Sequence, residues 1–148
     1  MCGIVGVVHK NKTLVDKNLL QNAVKTLAQR GPDNQSIEIF NHVGLGHARL
    51  SIIDTSTSAN QPFTDYSGRY TLVYNGEIYN YQSLKSQLQF KDFKTSSDTE
   101  VLLYWLIEKG SEGIKQLHGF FAFCLFDHQN ESFLLARDRF GIKPLLIY

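Results

Sequence analysis

The sequence predicts an α+β domain with antiparallel sheets and helices on their outer faces. Two observations carry that expectation. Strand-length apolar runs come in pairs around short polar turns, at 37–40 with 43–53 and at 120–126 with 133–136, and helical patterns stand between the pairs. The 148 residues suffice for one domain with one core. Charged residues make up 20% and the net charge is +1, so no strong field draws the chain to nucleic acid or an anionic membrane; a small molecule or another protein is the expected partner. Two cysteines, Cys2 and Cys124, without a CxxC pair or repeated Cys/His spacing, argue against a disulfide framework or a metal site and fit a reducing cytoplasm. No apolar run approaches the ~18 residues of a membrane span, and the N-terminus lacks the basic-then-apolar pattern of a leader.

Residues 4–8 read as an apolar strand and 9–13 as a turn. Asp16 is suited to cap a helix over 17–29, where Leu20, Ala23, Val24 and Leu27 recur at helical spacing. Gly31-Pro32 stops that helix, with the glycine expected as a left-handed cap. Strands at 37–40 and 43–53 flank a turn at Asn41-His42, and the Thr/Ser/Asn-rich run 54–62 is a loop. A strand at 69–74 leads into Asn75-Gly76-Glu77. An Asn-Gly pair ordinarily makes a hairpin turn, but here Tyr79-Asn80-Tyr81 and a helical pattern with Leu84 and Leu88 follow, which speaks against it.

Ser97 and Glu100 have capping-box spacing for a helix that runs to about residue 108 and ends at Gly110. Its segment 101–107 leaves almost no polar face, so burial on most sides is expected. Ile114 and Leu117 mark a short helical turn. The run 120–126 reads as a strand buried on both faces, with 133–136 as its hairpin partner. Arg137, Asp138 and Arg139 form a charged loop near a partner domain or a sheet edge. Arg30-Gly31-Pro32-Asp33 is expected to be a structural, salt-bridged surface loop, with Arg30 bordering any site. The run 145–148 is strand-like, and a chain stopping on it is expected to be cut short at its C-terminus.

The first residues carry the most chemistry. If Met1 is removed, Cys2 holds a thiol and a free α-amino group at the start of a strand. A thiol (ordinarily about 8.5) and an α-amine (about 7.7–8.0) have pKa values close enough for proton transfer between them to be nearly isoenergetic. Alone, Met1-Cys2-Gly3 is a small residue before a strand. It is accompanied, in order, by Arg30-Gly31-Pro32-Asp33, Gly46-His47-Ala48-Arg49-Leu50-Ser51-Ile52-Ile53-Asp54, Gln61-Pro62, Tyr74-Asn75-Gly76-Glu77-Ile78-Tyr79-Asn80, Ser97-Asp98-Thr99-Glu100, Gly119-Phe120-Phe121-Ala122-Phe123 and a segment from Ala136 through Arg137, Asp138 and Lys143 to Leu145. With these motifs the chain resembles the glutamine amidotransferase domain of the N-terminal-nucleophile hydrolase class, and most closely its asparagine-synthetase-like branch.

The resemblance implies a four-layer αββα sandwich of two antiparallel sheets and hydrolysis of the glutamine side-chain amide to glutamate and ammonia. Cys2 would be the nucleophile and its α-amine the base. Asn75 and the Gly76 N–H would stabilise the oxyanion. Arg49 would hold the substrate α-carboxylate and Asp98 the α-ammonium, while Glu77 and the backbone around Leu50, Ser51, Ile52 and Ile53 line the pocket. Cys124 is expected in the core with a raised thiol pKa. No ATP-binding motif is present, so the resemblance implies that residues 1–148 form an incomplete glutaminase domain and that a synthetase domain using ATP and Mg lies beyond Tyr148 or on another chain. That partner would amidate aspartate or a related carboxylate such as a sugar acid. Neither a cofactor nor a metal is expected in this domain itself. Apolar surface or sheet edges left near the C-terminus would favour association, a homodimer included. A non-catalytic glutamine-sensing module on the same fold, and the glucosamine-6-phosphate and phosphoribosylamine branches, remain as rivals. The Arg-Leu-Ser-Ile and Asn-Gly-Glu-Ile-Tyr-Asn wording favours the asparagine-synthetase-like branch over the two enzymes.

Overall fold

The computed structural model describes residues 2–51 and 56–148. Strands β1 (Gly3–Val8), β2 (Asn34–Phe40) and β3 (Val43–Arg49) form one antiparallel sheet in the spatial order β1-β3-β2. Strands β4 (Phe63–Thr64), β5 (Tyr70–Ile78), β6 (Gly119–Asp127) and β7 (Ser132–Arg137) form the second, in chain order. Helix α1 (Lys17–Lys25) lies on the outer face of the first sheet. There β3 offers glycines, because a Cβ on Gly44 would come within 2.8 Å of Leu20 and one on Gly46 within 2.4 Å of Val24. The opposite face of β3 turns Val43 and Leu45 onto Val73, Cys124 and Phe126 of the second sheet. Beyond that sheet, helices α2 (Tyr81–Gln87) and α3 (Asp98–Lys109) pack over Leu72, Tyr74, Phe121, Phe123 and Leu125. The layers therefore run helix, sheet, sheet, helix, as expected for the four-layer sandwich.

Several local expectations are corrected. Asp16 does cap α1, its carboxylate accepting from Asn18 N at 2.8 Å and Leu19 N at 3.2 Å. However, α-helix ends at Lys25, and 26–30 continue as tight turns with Leu27 N bonded to Val24 O and Arg30 N to Leu27 O. Gly31 is not a left-handed cap. It is glycine because a Cβ there would lie 2.2 Å from the Ala48 carbonyl carbon, so the chain passes directly against β3. β3 stops at Arg49 rather than 53; Ile52 and Ile53 lie outside the described residues. β4, which the Ser/Thr-rich reading of its surroundings conceals, is only two residues long.

Ser97 caps α3 by accepting from Thr99 N, but the reciprocal half of the capping box does not form. Ser97 N donates to Thr95 Oγ1, and Glu100 instead takes the N–H groups of Lys94 and Thr95 and the Thr95 hydroxyl. Asn75-Gly76-Glu77 makes no hairpin turn, as expected, but the strand expected at 69–74 runs on through it to Ile78 in register with β6. The 145–148 run forms no strand, and Leu146, Ile147 and Tyr148 are exposed.

Candidate functional site

Cys2 sits immediately before β1, whose first residue, Gly3, pairs with Ala48 of β3. That register brings the thiol to the end of β3, where Leu50 N donates to Sγ at 3.4 Å and Sγ approaches Leu50 O at 3.6 Å. Arg30 Nε donates to Cys2 O at 3.3 Å. Among the described residues the Arg30–Asp33 corner is tied to the backbone and makes no ion pair, Asp33 accepting Ser51 N at 2.7 Å. Where Cys2 and the end of β3 meet β5 and the N-terminus of α3, a cavity of about 170 Å³ opens.

The far wall is β5, and its hydrogen-bond alternation decides what it presents. In an antiparallel strand, successive residues bond to opposite neighbours. Tyr74 N donates to the Gln61 side chain and Ile78 N to Asp98 Oδ2, so the backbone N–H groups of the even-numbered residues from Tyr74 to Ile78 point away from β6. Gly76 N–H lies midway on that same edge, at the cavity, and Asn75 lines the cavity beside it. Glycine is required there for packing: a Cβ on Gly76 would lie 2.2 Å from Phe120 O and 2.7 Å from Phe121 Cα. Phe121 is the residue directly opposite in the ladder, in the closely spaced, non-hydrogen-bonded type of pair.

Arg49 and Asp98 stand at the same cavity. Arg49 is buried, with Nη1 held by Ser56 O at 2.8 Å and Asn60 Oδ1 at 2.7 Å, so its fork is fixed by the loop after β3. Asp98, the first residue of α3, accepts Tyr74 Oη at 2.8 Å and Ile78 N at 3.0 Å. Burial pushes its carboxyl up, against the pull of these bonds, and the Glu77 carboxylate adds to the rise. Tyr74 is pushed up in turn, by burial first and by Asp98 second, so it stays a hydroxyl donor. Leu50 and Glu77 also line the cavity, Ser51 does not, and the expected Ile52 and Ile53 lie outside the described residues.

Among the further cavity residues that the sequence motifs contain but do not single out are Gln61 and Lys143. Lys143 is only 4% exposed, and its Nζ stands 4.5 Å from the centroid of the Phe120 ring. Its delivery depends on Asp138, which is buried where the charged loop leaves the edge of the second sheet. The Asp138 carboxylate accepts the N–H groups of Phe121, Phe140, Ile142 and Lys143 and so wraps the loop after β7 around itself. Burial lowers the Lys143 pKa, Arg30 lowers it further, and Cys2, Asp138 and Glu77 oppose the change. The regular spacing of strands and helices gives no signal for such a residue; only its enclosure does. Cys124, by contrast, lies between the sheets, and burial pushes its thiol up to about 12. Among the described residues, no group of three or more His, Cys, Asp or Glu is arranged to hold a metal ion.

The arrangement gathers a thiol, the Asn75 amide, the Gly76 N–H and charged groups of both signs, Arg49 and Asp98 among them, around one cavity. Comparison with known proteins agrees with that reading. A family profile described as a glutamine amidotransferase domain matches residues 1–148. Similar proteins include glutamine-hydrolysing asparagine synthetase 3 of Bacillus subtilis, 39% identical over 97% of this chain and 24% of that protein. A putative glutamine-hydrolysing asparagine synthetase 2 of Methanocaldococcus jannaschii is 36% identical over 100% of this chain and 32% of its own length. Amidase chry2 of Gibberella zeae is 45% identical over 98% of this chain and 24% of its own. The chain thus spans about a quarter to a third of the length of these curated relatives. With its fold and its match along the whole chain, the protein belongs to the class II glutamine amidotransferase family.

Proposed function

We propose that this chain hydrolyses the side-chain amide of glutamine to glutamate and ammonia, with Cys2 as nucleophile. The observation that carries the reading is the meeting of Cys2, Asn75, Gly76, Arg49 and Asp98 at one cavity. After removal of Met1, the Cys2 α-amine takes the thiol proton as sulfur bonds to the amide carbon. The carbonyl oxygen becomes an oxyanion, received by the Asn75 side-chain amide and the Gly76 N–H. Collapse of this adduct breaks the C–N bond, and the proton held by the amine leaves with nitrogen as ammonia. A water molecule, deprotonated by the same amine, then attacks the thioester carbon and releases glutamate and the thiol. Arg49 fixes the α-carboxylate and Asp98 the α-ammonium, so the amide carbon arrives at the sulfur in one orientation.

The ammonia serves an ATP- and Mg-dependent amidation by a synthetase domain outside residues 1–148, with asparagine as the product. The names and lengths of the relatives support this reading. A reducing cytoplasm is the proposed setting, supported by both cysteines being free. The test is intact-mass measurement for loss of Met1, followed by glutamate release from glutamine in the wild type and in Cys2→Ala. Release that vanishes in the variant is expected. Glutamine binding by the processed wild type without release would overturn the enzymatic reading in favour of a sensing module.

A further inference from the structure

Gln61 ends the loop that feeds β4, and its position follows from where β4 fails. The register Phe63↔Leu72 and Thr64↔Thr71, extended backwards, would set Gln61 opposite Tyr74. Backbone pairing stops short of that pair, at Phe63, and side chains replace it. Gln61 Oε1 accepts Tyr74 N at 2.6 Å, while its Nε2 donates to Thr99 Oγ1 at 3.3 Å. The Gln61 carbonyl is engaged by the Ser36 hydroxyl. On the same edge of β5, His47 Nε2 bonds Tyr74 O at 3.1 Å. The N–H and the C=O of Tyr74 are thus both held from outside the sheet, one residue before Asn75 and two before Gly76.

We propose that Gln61 is a positioning residue for the oxyanion donors: by holding Tyr74 N–H where a neighbouring strand would otherwise hold it, it fixes the β5 edge from which Asn75 and Gly76 act. Its reach is also set from a second element, because Thr99 belongs to α3, which carries Asp98. One residue therefore couples the oxyanion wall to the helix that bears the ammonium site. The inference rests on the glutamine-hydrolysis reading above.

The test uses the full-length protein carrying Gln61→Met, which keeps the volume and removes the acceptor, and Gln61→Glu, which keeps an oxygen for Tyr74 N–H. In Gln61→Met, kcat for glutamate release is expected to fall about ten- to a hundredfold, the scale on which small misplacements of catalytic donors act, with KM within about twofold of wild type. Glutamine affinity, measured by calorimetry in a Cys2→Ala background with and without Gln61→Met, should likewise agree within about twofold. Gln61→Glu should recover most of the lost kcat. A purely structural role predicts a lower thermal midpoint with unchanged kcat per folded molecule, or equal losses in kcat and affinity; either result overturns the proposal. A wild type that releases no glutamate would overturn the reading beneath it, whereas an active wild type matched by Gln61→Met would overturn this inference alone.

Discussion

Acidification should weaken the fold through His47, by an amount that its environment sets. His47 is 0% exposed, and its Nε2 faces the Tyr74 carbonyl, so Nε2 carries the proton and Nδ1 has none. Nδ1 has no hydrogen-bond partner among the described residues. Charging the ring would bury a cation, and burial lowers its pKa from 6.5 to about 4, with the Tyr74 bond opposing the shift and Arg49 adding to it. The folded pKa is depressed, so between about 4 and 6.5 the unfolded chain binds the extra proton and stability rises with pH. The contribution is whole above 6.5 and is lost as pH falls towards 4. Over that range it amounts to about 3 kcal/mol, and roughly 2 kcal/mol is already gone at pH 5. Urea unfolding of wild type and His47→Gln at pH 7 and pH 5 isolates it, because other titrating groups are common to both proteins. The wild type should lose about 2 kcal/mol more than the variant across that interval. Equal losses, or a greater loss in the variant, would refute the assignment of a neutral, desolvated imidazole.

Four further outcomes are expected. Gly76→Ala should destabilise by about 1–3 kcal/mol in urea unfolding, since the added methyl meets backbone of β6, and should abolish glutamate release. Arg49→Ala and Asp98→Asn should each raise KM for glutamine by about tenfold or more with a smaller effect on kcat; an unchanged KM would sink the carboxylate and ammonium assignments. Because Asp98 titrates above the ordinary aspartate range and must be charged to hold the ammonium, glutamine affinity should fall on acidification from a higher pH than a normal aspartate would give, and calorimetry across pH reads this directly. At pH 8, iodoacetamide should modify Cys2 and spare Cys124, whose thiolate fraction is about 10⁻⁴, until the protein is unfolded; peptide mass mapping distinguishes the two.

How much of this was legible in the sequence depended on the kind of force involved. Periodicity located β1, α1, β6, β7 and the buried α3, because burial of one face or of all faces leaves its pattern in the residue order. Motifs brought Cys2, Arg49, Leu50, Asn75, Gly76, Glu77 and Asp98 forward, and the structure gathers these at one cavity. The misreadings share another origin. Gly31 looked like a helix stop, but its constraint is the closeness of Ala48, a long-range contact with no local trace. Glu100 had capping-box spacing, yet the loop at 94–95 competes for its carboxylate. The segment at 137–139 read as a charged loop at a sheet edge, but the burial of Asp138 left no local trace, because it comes from four backbone N–H groups that satisfy its carboxylate.

The two-residue length of β4 has a consequence for anyone wishing to make this domain sturdier. An edge strand extended alongside β5 would satisfy more backbone groups and remove an open margin, changes that ordinarily stabilise a sheet and discourage aggregation. Here it would cover the margin that carries the Gly76 N–H and displace Gln61 from Tyr74. Robustness and turnover thus draw on the same hydrogen-bonding positions, and selection for a more heat-resistant sheet in this corner would select against the reaction.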